Sequence, residues 1–430
     1  MRGTLGRSWT AIAVGAVILV AAATSARAER EITLWSHWAD HETKVAFVET
    51  AARKLEAKHS DVKVKITWYQ KNPLYAALQS ALRAGKGPDI FYLDPDRTEY
   101  IENGFLLALD DLINWDDVHA WARSAWQQDG KTWGFPLEAS TVEWYYNKDL
   151  MKKLGVTLSE PDKQLSQAAF LDLVKKAKAA GITPIVQGVG DRPYPGAYVL
   201  HELLLKKLGK EAYGQLLNGK LSFKDARVMD VFNYVGALVE AGAYPKSFST
   251  LKLGESHYYF HTKPGGLIFP LGSWYTSRAF NPPDKGGQPV DFPLGLMNGP
   301  AMDGGACNAC KTNNVAGSMV VNAATKHPDL AAELLNIMAT PEMGNMWLST
   351  VLVNTGIKSD ASKISGKYKP YFEELAAVNV NADYFFGTPL QFFKGKCRQT
   401  FEQVMNAGFP AGLIDAGKAT DMMNKGCYKG

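Results

Sequence analysis

The chain has 430 residues, 46% of them apolar, with 47 basic against 43 acidic side chains and a formal net charge of +4. Its length and apolar content suffice for two substantial cores. Arg2, Arg7 and Arg27 all fall in the first 28 residues, so the remainder is near neutral with no basic stripe, which argues against a nucleic-acid partner.

Residues 1–28 read as a secretory signal. Arg2 and Arg7 precede an apolar run from Thr10 to Ala23, and Ala26-Arg27-Ala28 supplies small residues around a cleavage site. No other stretch approaches membrane-spanning length, so a protein that is not membrane-embedded is expected. The first cysteine is Cys307, well past the expected start at Glu29, which favours a free periplasmic protein over one lipid-anchored there.

Glu31–Trp35 is a predicted first strand, followed by a polar, aromatic turn at His37 and Trp38 and a helix over Asp40–Lys58 with Val45, Phe47, Val48, Ala52 and Leu55 on one side. His37 and His41 are four apart, but Trp38 stands where a zinc-protease helix carries Glu, so no metal or other cofactor is expected. A ligand contact through His37 and Trp38 competes with a plain surface turn. Val62, Val64, Ile66 and Trp68 alternate in a second strand that ends at Gln70, and Asn72-Pro73 opens a helix to Leu82.

The segment GKGPDIFYLDPDRTEYIENGFLLALDDL, Gly85–Leu112, follows. Glycines and Pro88 end the helix, Asp89–Leu93 is a core strand, and Asp94 and Asp96 sit where it stops. In open α/β sheets ligands lie outside the carboxyl ends of strands, so these carboxylates are ligand candidates. Asp96 could instead cap the next helix, with Glu99 as capping-box partner. Three strand–helix alternations point to a doubly wound parallel sheet.

Trp133–Ser140, including Glu138 and Ser140, crosses into an extended Thr141–Tyr146, and Asn147-Lys148-Asp149 caps a helix ending before Gly155. A helix over Gln167–Ala180, a strand over Thr183–Val186 and a turn-rich Gly188–Gly196 containing Arg192 and Tyr194 come next, then four or five helical segments to about Thr262. Gly265–Phe269 is a strand whose end carries Trp274 and Tyr275, placed to stack on a ring unless they are core residues. Strands over Phe292–Met297 and Val315–Val321 flank a cysteine loop, with Asn313 and Asn314 just before the second. Helices over Lys326–Met338 and Pro341–Leu348 and a helical tail over Tyr368–Tyr428 complete the chain.

Four cysteines allow three pairings. Locality favours structural bonds Cys307–Cys310 and Cys397–Cys427 in an oxidising compartment. A redox role for Cys307-Asn-Ala-Cys310 is the alternative, although the motif lies in a loop and not at a helix start.

The Gly87-Pro88-Asp89-Ile90 segment, with Ile32–Trp35, Gly134-Phe135-Pro136, Tyr145–Leu150, Gly272-Ser273-Trp274 and Asn314–Gly317 in this order, resembles the family 1 extracellular solute-binding proteins. These are the carbohydrate-binding components of ABC importers and include the maltose-binding proteins, whose closing helices Pro389–Met423 also resembles. The resemblance implies a two-lobe α/β periplasmic binding protein fold of type II, each lobe a sheet flanked by helices. The lobes would be residues 29–140 plus 298–351 and 141–297 plus 352–430, hinged near Glu138–Val142, Leu296–Gly299 and Val351–Thr355. It further implies a monomer that docks on an ABC permease, and sugar contacts from His37, Trp38, Asp94, Asp96, Ser140, Tyr194 and Trp274.

The residues flanking Asp94 depart from the maltose-binding pattern, so another oligosaccharide, glycoside or related sugar is expected. A phosphorylated ligand is disfavoured because few basic residues other than Arg192 stand at strand ends. Two readings compete: a secreted binder of a peptide or organic cation, and a glycoside hydrolase using two of Asp94, Asp96, Glu138 and Glu143. Against catalysis, the chain shows no eightfold strand–helix repeat and no nucleophile elbow.

Overall fold

In the computed structural model, residue 1 and residues 29–191, 197–262 and 265–430 are described. Residues 2–28 of the signal expected over 1–28, and Arg192 and Tyr194, lie outside them. The alternation at Ile32 and Leu34 and at Val62 and Val64 forms β1 (Arg30–Ser36) and β2 (Val62–Trp68), with α1 (Glu42–Lys58) between them. Then come α2 (Lys71–Arg83), β3 (Ile90–Leu93), α3 (Glu99–Glu102), α4 (Ala120–Ser124), a small hairpin of β4 (Gln127–Gln128) and β5 (Lys131–Thr132), and β6 (Phe135–Pro136). The middle of the chain gives β7 (Ala139–Asn147), α5 (Lys148–Lys153), β8 (Gln164–Ser166), α6 (Gln167–Ala179), β9 (Thr183–Ile185), α7 (Tyr198–Leu217), α8 (Ala226–Glu240), α9 (Leu253–His261), β10 (Gly266–Gly272) and α10 (Thr276–Ala279). It closes with β11 (Leu294–Ala301), β12 (Cys310–Val315), β13 (Ser318–Val321), α11 (Pro328–Met338), α12 (Pro341–Met346), α13 (Lys369–Val378), β14 (Asp383–Phe386), α14 (Pro389–Phe392), α15 (Gly395–Phe401) and α16 (Ala416–Cys427).

Two mixed sheets organise these elements. The first has the order β2-β1-β3-β13-β6, parallel through β1, β2 and β3 and antiparallel at β13. Helices pack on it through spaced apolar residues: α2 buries Leu74, Leu78 and Leu82, four apart on one face. Each such burial contributes about 1.5–3 kcal/mol. Gly85, at φ 65°, lets the chain turn out of α2 at once. The second sheet runs β14-β12-β7-β10-β9, with β11 on β7 and β8 on β11. Its strand β7 is buried along nearly its whole length and is the axis of a second core fed by α6, α7 and α8.

Several expectations are corrected. The first sheet is not wholly parallel, because β13 enters it from the other sheet. Val315–Val321 is not one strand: β12 ends at Val315 in the second sheet, and β13 starts at Ser318 in the first. Between them Gly317 is closely packed, since a Cβ there would lie 3.0–3.2 Å from Trp38, Glu138 and Tyr92 and would push on them. Asn313 and Asn314, expected just before that strand, lie within β12.

The change of sheet also lies away from Leu296–Gly299, because β11 is held to β7 there and β12 still pairs with β7. Val353 and Ile357 pack into the first core. Among the described residues, four helical segments lie between residues 197 and 262 as expected, because α7 is broken by a non-helical Gly209 at φ 72° and is followed by α8 and α9. The tail is not all helical: Asp383–Phe386 pairs in parallel with β12 as an edge strand. Disulfides join Cys307 to Cys310 and Cys397 to Cys427, leaving no free cysteine.

Candidate functional site

A cavity of about 760 Å³ opens between the two sheets, where β1, β2, β3 and β10 end. The turn after β1 contributes His37 and Trp38. Trp38 is only 1% exposed and forms part of the floor, tilted against Trp347 at 5.7 Å and edge-on to Tyr92 at 5.5 Å. His37 meets Tyr92 edge-on at 4.2 Å. The first turns of α1 add Lys44, whose Nζ donates to Glu138 Oε2 at 2.5 Å and lies 5.2 Å from the Trp38 ring centre. Burial pulls the Lys44 ammonium below its ordinary pKa, and the Glu138 carboxylate opposes that shift. This buried pair sits at the first sheet crossing, where the Glu138 backbone also bonds Gly317 and Ala316.

Asp94, directly after β3, accepts three hydrogen bonds. Lys71 Nζ is 2.7 Å away, and the Tyr75 and Tyr92 hydroxyls each donate at 2.6 Å. Burial pushes this carboxyl up, but the charge of Lys71 and the three hydrogen bonds together hold it below the usual carboxylate range. Asp96 is instead raised, by burial and by the charge of Asp94. It does not cap α3, whose N-cap is Thr98 without a side-chain bond. Arg398 of α15 pairs with it at 3.4 Å from the other side of the cavity. On the opposite flank Arg278 reaches Asp40 at 3.2 Å and His41 at 3.4 Å, and Lys285 reaches Glu42 at 2.5 Å. The two bodies are thus clasped by ion pairs on both sides of the opening.

Trp274, at the end of β10, lines the cavity and lies nearly parallel to His257, with ring centres 5.9 Å apart. A Cβ on Gly272 would lie 2.1 Å from the Trp274 ring nitrogen, so only glycine lets the indole fold back over that backbone. Tyr275 does not reach the cavity. It is fully buried against Tyr145, Phe269 and Phe260, with its hydroxyl 3.0 Å from His261 Nδ1, because Ser273–Tyr275 form a 3-10 turn in which successive side chains point in different directions.

Ser140 and Asn314, paired across β7 and β12, line the cavity, and Gln70 stands exposed at its rim. Asn313 lines a neighbouring cavity and not this one. Glu143 is remote from the lining: it is fully buried and paired with Lys311. Sequence reasoning missed Lys44, Lys71, Tyr75, Tyr92, Arg278 and Arg398. Lys71 and Tyr92 flank strand ends already singled out, which was a usable signal; Lys44 reads as an ordinary helix-surface lysine and Arg398 as an ordinary tail residue.

Among the described residues, the group of side chains close enough to hold a metal is Cys307, Cys310 and Asp383, and its two sulfurs are bonded to each other. No described helix is long and apolar enough to cross a membrane.

Buried histidines give the protein a pH dependence. His201, stacked on Phe401 at 5.2 Å, is depressed by burial to about 3, and His261 to about 4. Above pH 6.5 these rings are neutral whether folded or unfolded. Below it the unfolded chain takes up protons that the folded one refuses, so stability falls as pH drops from 6.5 towards 4. Each unit of depression corresponds to about 1.4 kcal/mol. Melting temperature measured from pH 7.5 to 5 is expected to fall below 6.5, and His201→Phe to flatten that slope; an unchanged slope in the variant would refute the assignment.

Residues 38–345 match the profile of the family described as bacterial extracellular solute-binding protein. The chain is 24% identical over 343 residues to an ABC transporter extracellular-binding protein of Pyrococcus horikoshii, covering 75% of this chain and 70% of that one. It is 25% identical over 365 residues to the arabinooligosaccharide-binding protein of Bacillus subtilis, covering 81% and 79%. A structure solved in work on xylan utilization by the thermophilic bacterium Caldanaerobius polysaccharolyticus superposes with a TM-score of 0.78 at 21% identity, covering 92% of this chain and 99% of that one.

Proposed function

The chain belongs to the bacterial extracellular solute-binding proteins, and from that premise we propose that it captures a carbohydrate between its two bodies and hands it to an ABC permease. The family is non-enzymatic. The observation that carries the sugar reading is the cavity at the strand ends, where Trp274 offers an aromatic face and Asp94, Asp96 and Glu138 stand with cations beside them. An uncharged, hydroxyl-rich ring needs that combination: an apolar face for its C–H groups and polar groups for its hydroxyls. Paired carboxylates supply acceptors without leaving a net charge that the ligand would have to neutralise.

His37, Gln70, Asp94, Asp96, Ser140, Trp274 and Asn314 are the proposed ligand contacts, with Trp38 and the Lys44–Glu138 pair beneath them. The lobes would be the two sheets with their helices, turning about Leu137-Glu138, Ala316-Gly317 and the segment after Leu352. The pairs Arg278–Asp40, Lys285–Glu42 and Arg398–Asp96 would form on closure. The protein would work as a monomer in the periplasm.

The test is thermal unfolding against arabino-, xylo-, malto- and chito-oligosaccharide series with their monosaccharides, alongside glycosides, polyols, peptides and amines. A saturable rise in melting temperature with a saccharide, without turnover, is expected, because a ligand bound only by the folded state stabilises it by mass action. Trp274→Ala is expected to weaken that saccharide about tenfold, the order of one aromatic contact. A response to amines or peptides alone would sink the sugar reading.

A further inference from the structure

His257, on α9, is a buried histidine whose two ring nitrogens both lack a hydrogen-bond partner among the described residues. Burial, and after it the neighbouring Arg278 and His261, hold the imidazole well below its ordinary pKa, so it is a neutral ring. What the ring makes is aromatic contact. It lies nearly parallel to Trp274, with centres 5.9 Å apart at 27°, and meets Tyr275 edge-on at 5.2 Å and Phe269 at 5.6 Å.

The helix that carries it is fixed at its start. The Leu253 N–H donates to Asp191 Oδ1 at 2.8 Å, and the Lys252 N–H donates to the Glu255 carboxylate at 3.0 Å. Leu253, His257 and His261, four apart, are buried along one face of α9, while Gly254 and Tyr258 line the main cavity from another. Trp274 lines that cavity and His257 does not, so the imidazole sits behind the indole and not in the opening. Both nitrogens give up hydration without return, so only the flat face of this ring is put to use.

We propose that His257 is a positioning residue that fixes the plane of the Trp274 indole and, through it, the angle at which a sugar ring is received. The inference rests on the carbohydrate reading above. Gly272 sets how far the indole folds back over β10, and His257 keeps it from tilting away from the cavity. A sugar ring gains from an aromatic face only when it lies flat on it, so a site of this kind needs the rotamer of its platform locked from behind.

The experiment is titration calorimetry with arabinotriose, xylotriose, maltotriose and chitotriose as probes. It compares wild type, His257→Leu, His257→Phe, Trp274→Ala and the Trp274→Ala, His257→Leu double variant. Leu fills the space without a flat face and is expected to weaken binding about fivefold, the order of one aromatic pair. Phe restores a flat ring and is expected to return affinity to within about twofold of wild type. It is also expected to raise the melting temperature, because two unpaired nitrogens are gone. In the Trp274→Ala background His257→Leu is expected to change affinity no further, because His257 acts only through the indole. A Leu variant that binds like wild type, a Phe variant as weak as the Leu one, or an equal loss in both backgrounds would overturn the proposal. The indole N–H resonance of Trp274, identified by its disappearance in Trp274→Ala, reads the same positioning without ligand and is expected to shift in His257→Leu. If no saccharide binds and this resonance shifts, the carbohydrate reading falls while the positioning stands; a resonance that does not move overturns the positioning whatever binds.

Discussion

Lys311→Met is expected to destabilise the protein by about 3–5 kcal/mol, the cost of leaving a buried charge without its partner. Lys311 on β12 and Glu143 on β7 are 2% and 0% exposed in their side chains, with Nζ 2.7 Å from Oε2. Lys311 also donates to Asn379 Oδ1 at 2.7 Å, after α13, while Thr141 donates to the other Glu143 oxygen at 2.5 Å. One ammonium thus ties two central strands to a helix end. Met is one atom shorter but fills most of the same space, and it removes the charge together with the donors to Glu143 and Asn379, so the isolated carboxylate accounts for most of the loss. Lys311→Met with Glu143→Leu removes both charges and is expected to recover most of the stability. Urea unfolding of wild type, single and double variants decides it. A single variant within 1 kcal/mol of wild type, or a double variant no better than the single, would refute this account of the pair.

The second large effect is expected at Asp94. Its three partners, Lys71, Tyr75 and Tyr92, are all donors, so it must be an acceptor on both oxygens. Asp94→Asn keeps the shape but points an N–H₂ at a donor, and is expected to be nearly as damaging as Asp94→Ala. Hydrogen bonds to a charged group contribute about 1.5–3 kcal/mol each. Because Asp94 and Lys71 keep some solvent contact, a total near 3 kcal/mol is expected rather than the full sum. Saccharide affinity should fall by at least about tenfold in both variants, since Tyr92 and Lys71 line the cavity and lose the anchor that aims them. Tyr75→Phe, which removes one donor, is expected to show a smaller loss of the same kind. Melting curves with and without saccharide separate the two effects. An Asp94→Asn protein that binds like wild type would show that the carboxylate only supports the fold.

Much of the fold was legible because its cause is local. The alternation at Val62–Trp68, the apolar spacing in α1 and α2 and the glycine stops place β1 to β3 and their helices to within a few residues. The same strand-end logic put Asp94, Asp96 and His37 beside one cavity, since side chains just past neighbouring parallel strands share a common edge, and put Trp274 opposite them at the end of β10 in the other sheet. Tyr275 shows the limit of that logic: one residue separates a side chain lining the cavity from one sealed in the core, and the turn geometry decides which.

What the sequence determined by itself is therefore the class of protein and one edge of its site: an α/β chain with resemblance to solute binders, two local cysteine pairs, and carboxylates and aromatics at strand ends. What only the tertiary structure decided is everything that depends on the two sheets meeting. Arg398 and Asp96 are 302 positions apart and Lys44 and Glu138 94 apart, so no spacing rule connects them. The change of sheet at Gly317 depends on what surrounds that residue, Trp38, Tyr92 and Glu138, and not on its neighbours in sequence. Backbone preferences act over a few residues, whereas a cavity closed from both sides is set by contacts that form after both cores have packed.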